Sequence, residues 1–184
     1  MSFLEYVYNL NLESLVHGSN GVKHKHEKSF IDVARNRLTM AHACHEARES
    51  IREIVANLIG CEQFALLEID YGKAVMWPRW SFGLEPELQR PVDLIAYPEL
   101  NRVLQGHITV YDSPKRLECF PEAVRAMVPM VCDDARSVLL VIFGLLPQKN
   151  SLNETDHRLL EVLSLHGGRA LLDEVVTFSM GSGR

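Results

Sequence analysis

Two groups of residues carry side chains suited to chemistry. The first is a histidine-rich stretch: five of the eight histidines lie within residues 17–45, and His42, Cys44, His45, Glu46 and Glu49 crowd one short span of it. His42 and His45 are three apart, and His42–Glu46 and His45–Glu49 are four apart, so on a helix each pair shares a face. Helical His/Glu pairs can ligate zinc or iron, but a complete site needs ligands from another helix or subunit. The same pattern fits a solvated helix face with His45 on its apolar stripe. The second group is the cysteines Cys44, Cys61, Cys119 and Cys132. They form no CxxC pair and read as reduced thiols of a cytoplasmic protein, not as a disulfide framework. No Ser/His/Asp array, P-loop or GxGxxG motif appears.

Hydrophobic periodicity gives the elements that must position these groups. Residues 3–16 are apolar and patchy, with Phe3, Leu4, Tyr6, Val7, Leu10, Leu12, Leu15 and Val16, which suits a short helix docked on the body or on a partner. Gly18, Ser19, Asn20 and Gly21 break it, and residues 23–26, Lys-His-Lys-His, read as a solvated linker. A long helix is expected over 27–59. Ala34, Leu38, Ala41, His45, Arg52, Val55 and Ile59 follow one stripe, and Phe30, Ile31, Cys44, Ile51, Ile54 and Leu58 widen it. Strands follow at 63–71 and 74–82, and Pro78 demotes the second to an edge or bulged strand. Residues 83–96 read as a loop.

The stretch YPELNRVLQGHITVYDS at 97–113 is the clearest local pattern. Pro98 suits the first position of a short helix, and Glu99 sits in the first turn, where the helix dipole favours negative charge. Leu100, Val103 and Leu104 share one face, and Gly106 can take the left-handed cap. Residues 107–111 then alternate as a strand, with Ile108 and Val110 on one face and His107, Thr109 and Tyr111 on the other. Residues 115–127 read as a connector with a helical turn after Pro121. Strands at 128–132 and 137–146 form a hairpin. A last helix spans 154–178, with Asn153 as N-cap and Asp156 at the third helical position. Gly167 and Gly168 inside it cost about 1 kcal/mol each. Either a close helix contact, within the fold or across a dimer, accounts for them, or they split the helix.

The 184 residues fit one domain, and a 47% hydrophobic fraction supplies a sizeable core. The expected organisation is an extension and linker over 1–26, a single domain over 27–178 and a disordered tail over 179–184. A net charge of −5 offers no basic stripe for nucleic acid. The longest apolar run, 138–146, is too short to span a bilayer.

Four segments in this order resemble the GAF family of sensory and regulatory domains: ANLIGCEQFALLEID at 56–70, YPELNRVLQGHITVYD at 97–112, MVPMVCDDARSVLLVIFG at 127–144 and NETDHRLLEVLSLHGGRALLDE at 153–174. The resemblance covers roughly residues 40–178 and implies an α+β, GAF/PAS-like fold. Its central antiparallel sheet has five or six strands, with long terminal helices on one face and short helices and loops roofing a pocket on the other. It also implies a homodimer through the terminal helices. The function expected is a non-enzymatic regulator that acts on a protein signalling partner, with or without gating by a small-molecule ligand. The segments around GAF pockets correspond to Trp77, Arg79, Trp80, Arg90, Tyr97, His107, Tyr111 and Cys119, where aromatic walls and an arginine suit a small anionic or planar ligand. A pocket filled by its own side chains would leave a scaffold instead.

Other branches of the family match in part. Arg90 and Asp112 resemble the pocket of nitric-oxide-responsive transcription regulators, but Lys115 and Met130-Val131-Cys132 stand where further iron ligands belong. Cys119 and Cys132 suit the thiol pair of the branch that reduces free methionine sulfoxide, but the Ser-Glu substrate motif is absent before Val128-Pro129. The alternative functions are therefore a metal or redox sensor through His42, His45 or Cys119, and a thiol-dependent reductase. No cofactor follows from these residues.

Overall fold

The apolar run at 138–146 becomes a strand at the centre of the sheet, buried on both faces. The computed structural model describes residues 20–41, 43–84, 90–132 and 136–171. The expected helix at 3–16, the tail at 179–184 and the end of the last helix at 172–178 lie outside these. Strands β1 (Cys61–Asp70), β2 (Val75–Phe82), β3 (Val92–Asp93), β4 (Thr109–Lys115), β5 (Val124–Val131) and β6 (Arg136–Leu145) form one sheet in the order β3-β2-β1-β6-β5-β4. Every neighbouring pair is antiparallel.

The sheet separates two apolar cores. On one face Phe64, Leu66, Val128, Met130, Leu140 and Ile142 meet the helices. On the other, Leu67, Ile69, Met127, Leu139, Val141 and Phe143 meet short roofing elements. β1 and β6 contribute to both, which is why neither alternates cleanly between apolar and polar. Pro78 lies beyond the two residues of β2 that pair with β3, so its missing N–H interrupts no ladder there. A bulge opposite Leu66 and Leu67 takes up the extra residue, Arg79.

The single helix expected over 27–59 is two helices. α1 (Asn20–Met40) ends before α2 (Cys44–Glu53), and α2 runs on through a wider, π-type turn at Ile54–Leu58. Arg37 pairs with Glu53. On one straight helix these residues would stand about 24 Å apart, so the chain must turn between them. The turn brings Ala34 and Leu38 into the same core as Ile51 and Ile54. α1 also starts earlier than expected, so residues 23–26 are helical and not a linker; lysine is a good helix former.

The short helix follows the sequence closely. A 3₁₀ turn at Pro98–Leu100 leads into α3 (Asn101–Leu104), and Gly106 turns the chain at φ +86. The connector expected over 115–127 is shorter, because β5 already begins at Val124.

α4 (Glu154–Val162) continues through a π-type turn at Leu163–Gly167 into α5 (Gly168–Ala170). The glycine pair marks a close contact within the fold. A Cβ on Gly168 would lie 2.3 Å from the Val131 carbonyl oxygen, and one on Gly167 would lie 2.6 Å from the Met130 sulfur. Ser164 donates to the Pro129 carbonyl at 2.6 Å. That carbonyl lies where β5 has already passed the end of its pairing with β4, so the helix supplies the partner a strand would have given. At the start of α4, Asn153 and Asp156 form the expected reciprocal cap. The buried Asp156 also accepts from the Lys149 ammonium at 2.7 Å, and Lys149 donates to the Ile59 carbonyl. The last helix is thereby tied to the joint between α2 and β1.

Candidate functional site

The candidate site is built on β4 and the segment that roofs it. Thr109 pairs with Met127 and Val110 with Ala126. Met127 belongs to the roofed core and Ala126 to the helix-side core. The period of two therefore turns Thr109 and Tyr111 toward the roof and Ile108 and Val110 toward the helices. Above them, Leu100 and Val103 press the short helix into the core, with Tyr97 and Leu104 at its margin. The His107 N–H donates to the Arg102 carbonyl at 3.1 Å and the Gly106 N–H to that of Val103 at 2.9 Å, which fixes the helix-to-strand corner. The loop after β4 brings in Leu117, Cys119 and Phe120, and Phe120 meets Phe143 edge to face at 5.7 Å.

Polar groups gather at this margin. Burial raises the Tyr111 phenol above its usual pKa, the charge of Glu99 adds to the rise, and Arg102 opposes it. Burial pushes the Cys119 thiol up to about 11, again with Glu99 adding. The Lys115 ammonium stands 5.3 Å from the centre of the Tyr111 ring, within cation–π range. Below them the Thr109 hydroxyl is buried with no hydrogen-bond partner. Such a group costs about 1–3 kcal/mol when left unsatisfied.

The eight expected pocket residues do not form one group. Tyr97, Tyr111 and Cys119 each pack against the roofed core, with Tyr111 and Cys119 close enough to interact electrostatically, and His107 is exposed at the entry to β4. Trp77, Arg79 and Trp80 do not join them. Trp77 lies across from Glu68, which in turn lies across from Val138 of the helix-side core. Trp80 lies across from Leu66 and packs edge to face on Phe64, with ring centroids 5.6 Å apart. Arg79 pairs with Glu68. These three residues are therefore on the helix side of the sheet, because the pairing register of β2 decides the face and only the structure fixes it. Arg90 is exposed. Glu99, Arg102 and Thr109 were not expected at the site; only the shared strand face of Thr109 and Tyr111 pointed to any of them.

No sequence-family model matches the chain, and no curated protein matches it. Solved structures do. The GAF domain of an Acinetobacter phosphoenolpyruvate-protein phosphotransferase is similar with a TM-score of 0.63 at 14% identity, over 83% of this chain and 97% of that one. The chain has the GAF fold. Residues 122 to 287 of a methyl-accepting chemotaxis protein are similar with a TM-score of 0.56 at 12% identity, over 82% of this chain and 99% of that one. The free methionine-R-sulfoxide reductase of Neisseria meningitidis is similar with a TM-score of 0.51 at 15% identity, over 86% of this chain and 97% of that one.

The GAF fold places the thiols apart. Cys119 belongs to the roofed core and Cys132 to the helix-side core. The sheet lies between them, and a disulfide needs Cα atoms within about 7 Å. Cys61 is buried and pushed up to about 12. On α2, His45 and Glu46 are exposed, and Glu49 accepts from Arg52 at 2.6 and 2.9 Å; His42 lies outside the described residues. Among the described residues, no three His, Cys, Asp or Glu side chains gather as a metal site, and no helix is long and apolar enough to cross a membrane.

Proposed function

We propose that this chain is a non-enzymatic regulatory module that holds a small polar molecule beneath the 98–104 roof and signals by protein contact. The observation that carries this is the buried, unpartnered Thr109 hydroxyl, on the strand position paired with Met127 of the roofed core. A ligand that meets Thr109 recovers the cost of its burial, so binding and roof closure favour each other. The GAF domain of a phosphotransferase and a segment of a chemotaxis protein are similar in structure, which supports a regulatory role. The module works as a homodimer through its terminal helices, whose outer faces expose Met40 and Leu165. The raised pKa of Cys119 argues against a nucleophilic or peroxide-sensing thiol, since the thiolate is the reactive form.

The test is thermal unfolding of the native chain against a panel of amino acids, nucleotides and organic acids. A binder at a hundred times its Kd stabilises the fold by about 2.7 kcal/mol, which moves the midpoint by several degrees. A panel with no effect at millimolar concentration would count against the reading.

A further inference from the structure

The joint between α1 and α2 is broken without a local signal for a break. α1 ends at Met40 and α2 begins at Cys44. Residues 41–43, Ala-His-Ala, include neither glycine nor proline, and alanine is the strongest helix former. Ala43 stands at the N-cap of α2 with extended angles, φ −133 and ψ 148, and its side chain supplies no cap. In a continuous helix the Cys44 and His45 N–H groups would donate to the Met40 and Ala41 carbonyls. The bend is therefore held by contacts made elsewhere. α1 packs chiefly on α4 and on the π-type turn that follows it, more than on α2. Ala34 and Leu38 are buried there, and Arg37 pairs with Glu53.

Resting on the dimer proposed above, we infer that α1 is an exchangeable arm: in the dimer it leaves its own body and takes the same place on a second copy. The bed for α1 is built mainly by the last helix, not by the helix to which α1 is joined. An α1 from another copy therefore fits it equally. Every contact that α1 makes in the bent chain is made again in the exchanged pair. The two forms differ at the joint, where residues 41–43 straighten and α1 and α2 become one helix. Exchange of an identical element costs little for this reason, and a short joint between packed elements invites it. In the straight chain Arg37 and Glu53 stand about 24 Å apart, so their pair forms only between copies. Exchange needs two chains, so mass action favours it as protein concentration rises.

The test uses two full-length chains, Arg37→Glu and Glu53→Arg. Each alone sets like charges against each other, whether the contact is within a chain or between identical copies. Unfolded together and refolded in equal amounts, they restore both pairs only in an exchanged heterodimer. The mixture is expected to sediment as a dimer and to unfold at the native midpoint, while each chain alone unfolds several degrees lower or fails to fold. A mixture that behaves as the two separate chains do would overturn the exchange. If that mixture is still dimeric, the dimer through the terminal helices stands and only the exchange falls; a native chain that is monomeric at every concentration removes both. If the single chains keep the native midpoint, Ala43→Asp decides. It caps the bent form of α2, and is expected to raise the dimer's dissociation constant about fivefold for each of its two joints. An unchanged dissociation constant would overturn the proposal.

Discussion

Thr109 and Cys119 carry the sharpest expectations at the scale of single residues. Thr109→Val replaces a buried, unpartnered hydroxyl with a methyl of similar size. The free protein should gain about 1 kcal/mol, read as a higher denaturant midpoint at unchanged slope; a loss of stability would mean the hydroxyl has a partner. Cys119 should alkylate slowly with iodoacetamide at neutral pH, with its rate rising toward pH 11 as the thiol ionises. A rate already at its plateau near pH 7 would contradict this. The same shift has a stability consequence. Cys61 and Cys119 ionise near 9.0 when unperturbed and near 12 and 11 in the fold. The unfolded chain therefore loses protons first as pH rises. Their neutral forms leave stability intact below about pH 9, and it falls as pH climbs from there toward 11 and 12.

At the scale of elements, contact outweighs backbone conformation at the glycines. Gly106 adopts φ +86 but has nothing within 4 Å of where a Cβ would stand, whereas Gly168 has ordinary helical angles and the Val131 carbonyl oxygen 2.3 Å from its missing Cβ. Gly106→Ala should cost about 1 kcal/mol, the penalty of the left-handed region alone. Gly168→Ala must push the helix off β5 and should cost more, about 2 kcal/mol or above. Chemical denaturation of both variants checks the order, and a smaller loss for Gly168→Ala would refute the close approach. Much of this scale was legible in the sequence. The Pro98 start, the Gly106 corner and the Asn153–Asp156 cap are local signals, and each specifies its own backbone. The break between α1 and α2 was not legible. Residues 39–43 contain neither glycine nor proline, and what selects the turn is a long-range pairing of Arg37 with Glu53 and a shared core. The site was half legible for the same reason. Alternation showed that Thr109 and Tyr111 share a face, but the face taken by Trp77 and Trp80 depends on strand register, which is a property of the sheet.

At the scale of the whole molecule, one sheet carries a core on each face, and the proposed function assigns a ligand to the roofed face and a partner to the helix face. Leu165 on the last helix is 73% exposed and belongs to the proposed dimer surface. Leu165→Asp should convert a dimer into a monomer in sedimentation velocity at micromolar concentration without loss of the unfolding transition. A native chain that is already monomeric there would contradict the dimer. The central claim is the ligand beneath the roof, and the most direct measurement compares two chains with one ligand. The panel compound that most raises the unfolding midpoint of the native chain is titrated against Thr109→Val. The account predicts that the variant, although more stable when free, gains markedly less from the compound. An equal gain in both chains would place the compound elsewhere and contradict the claim.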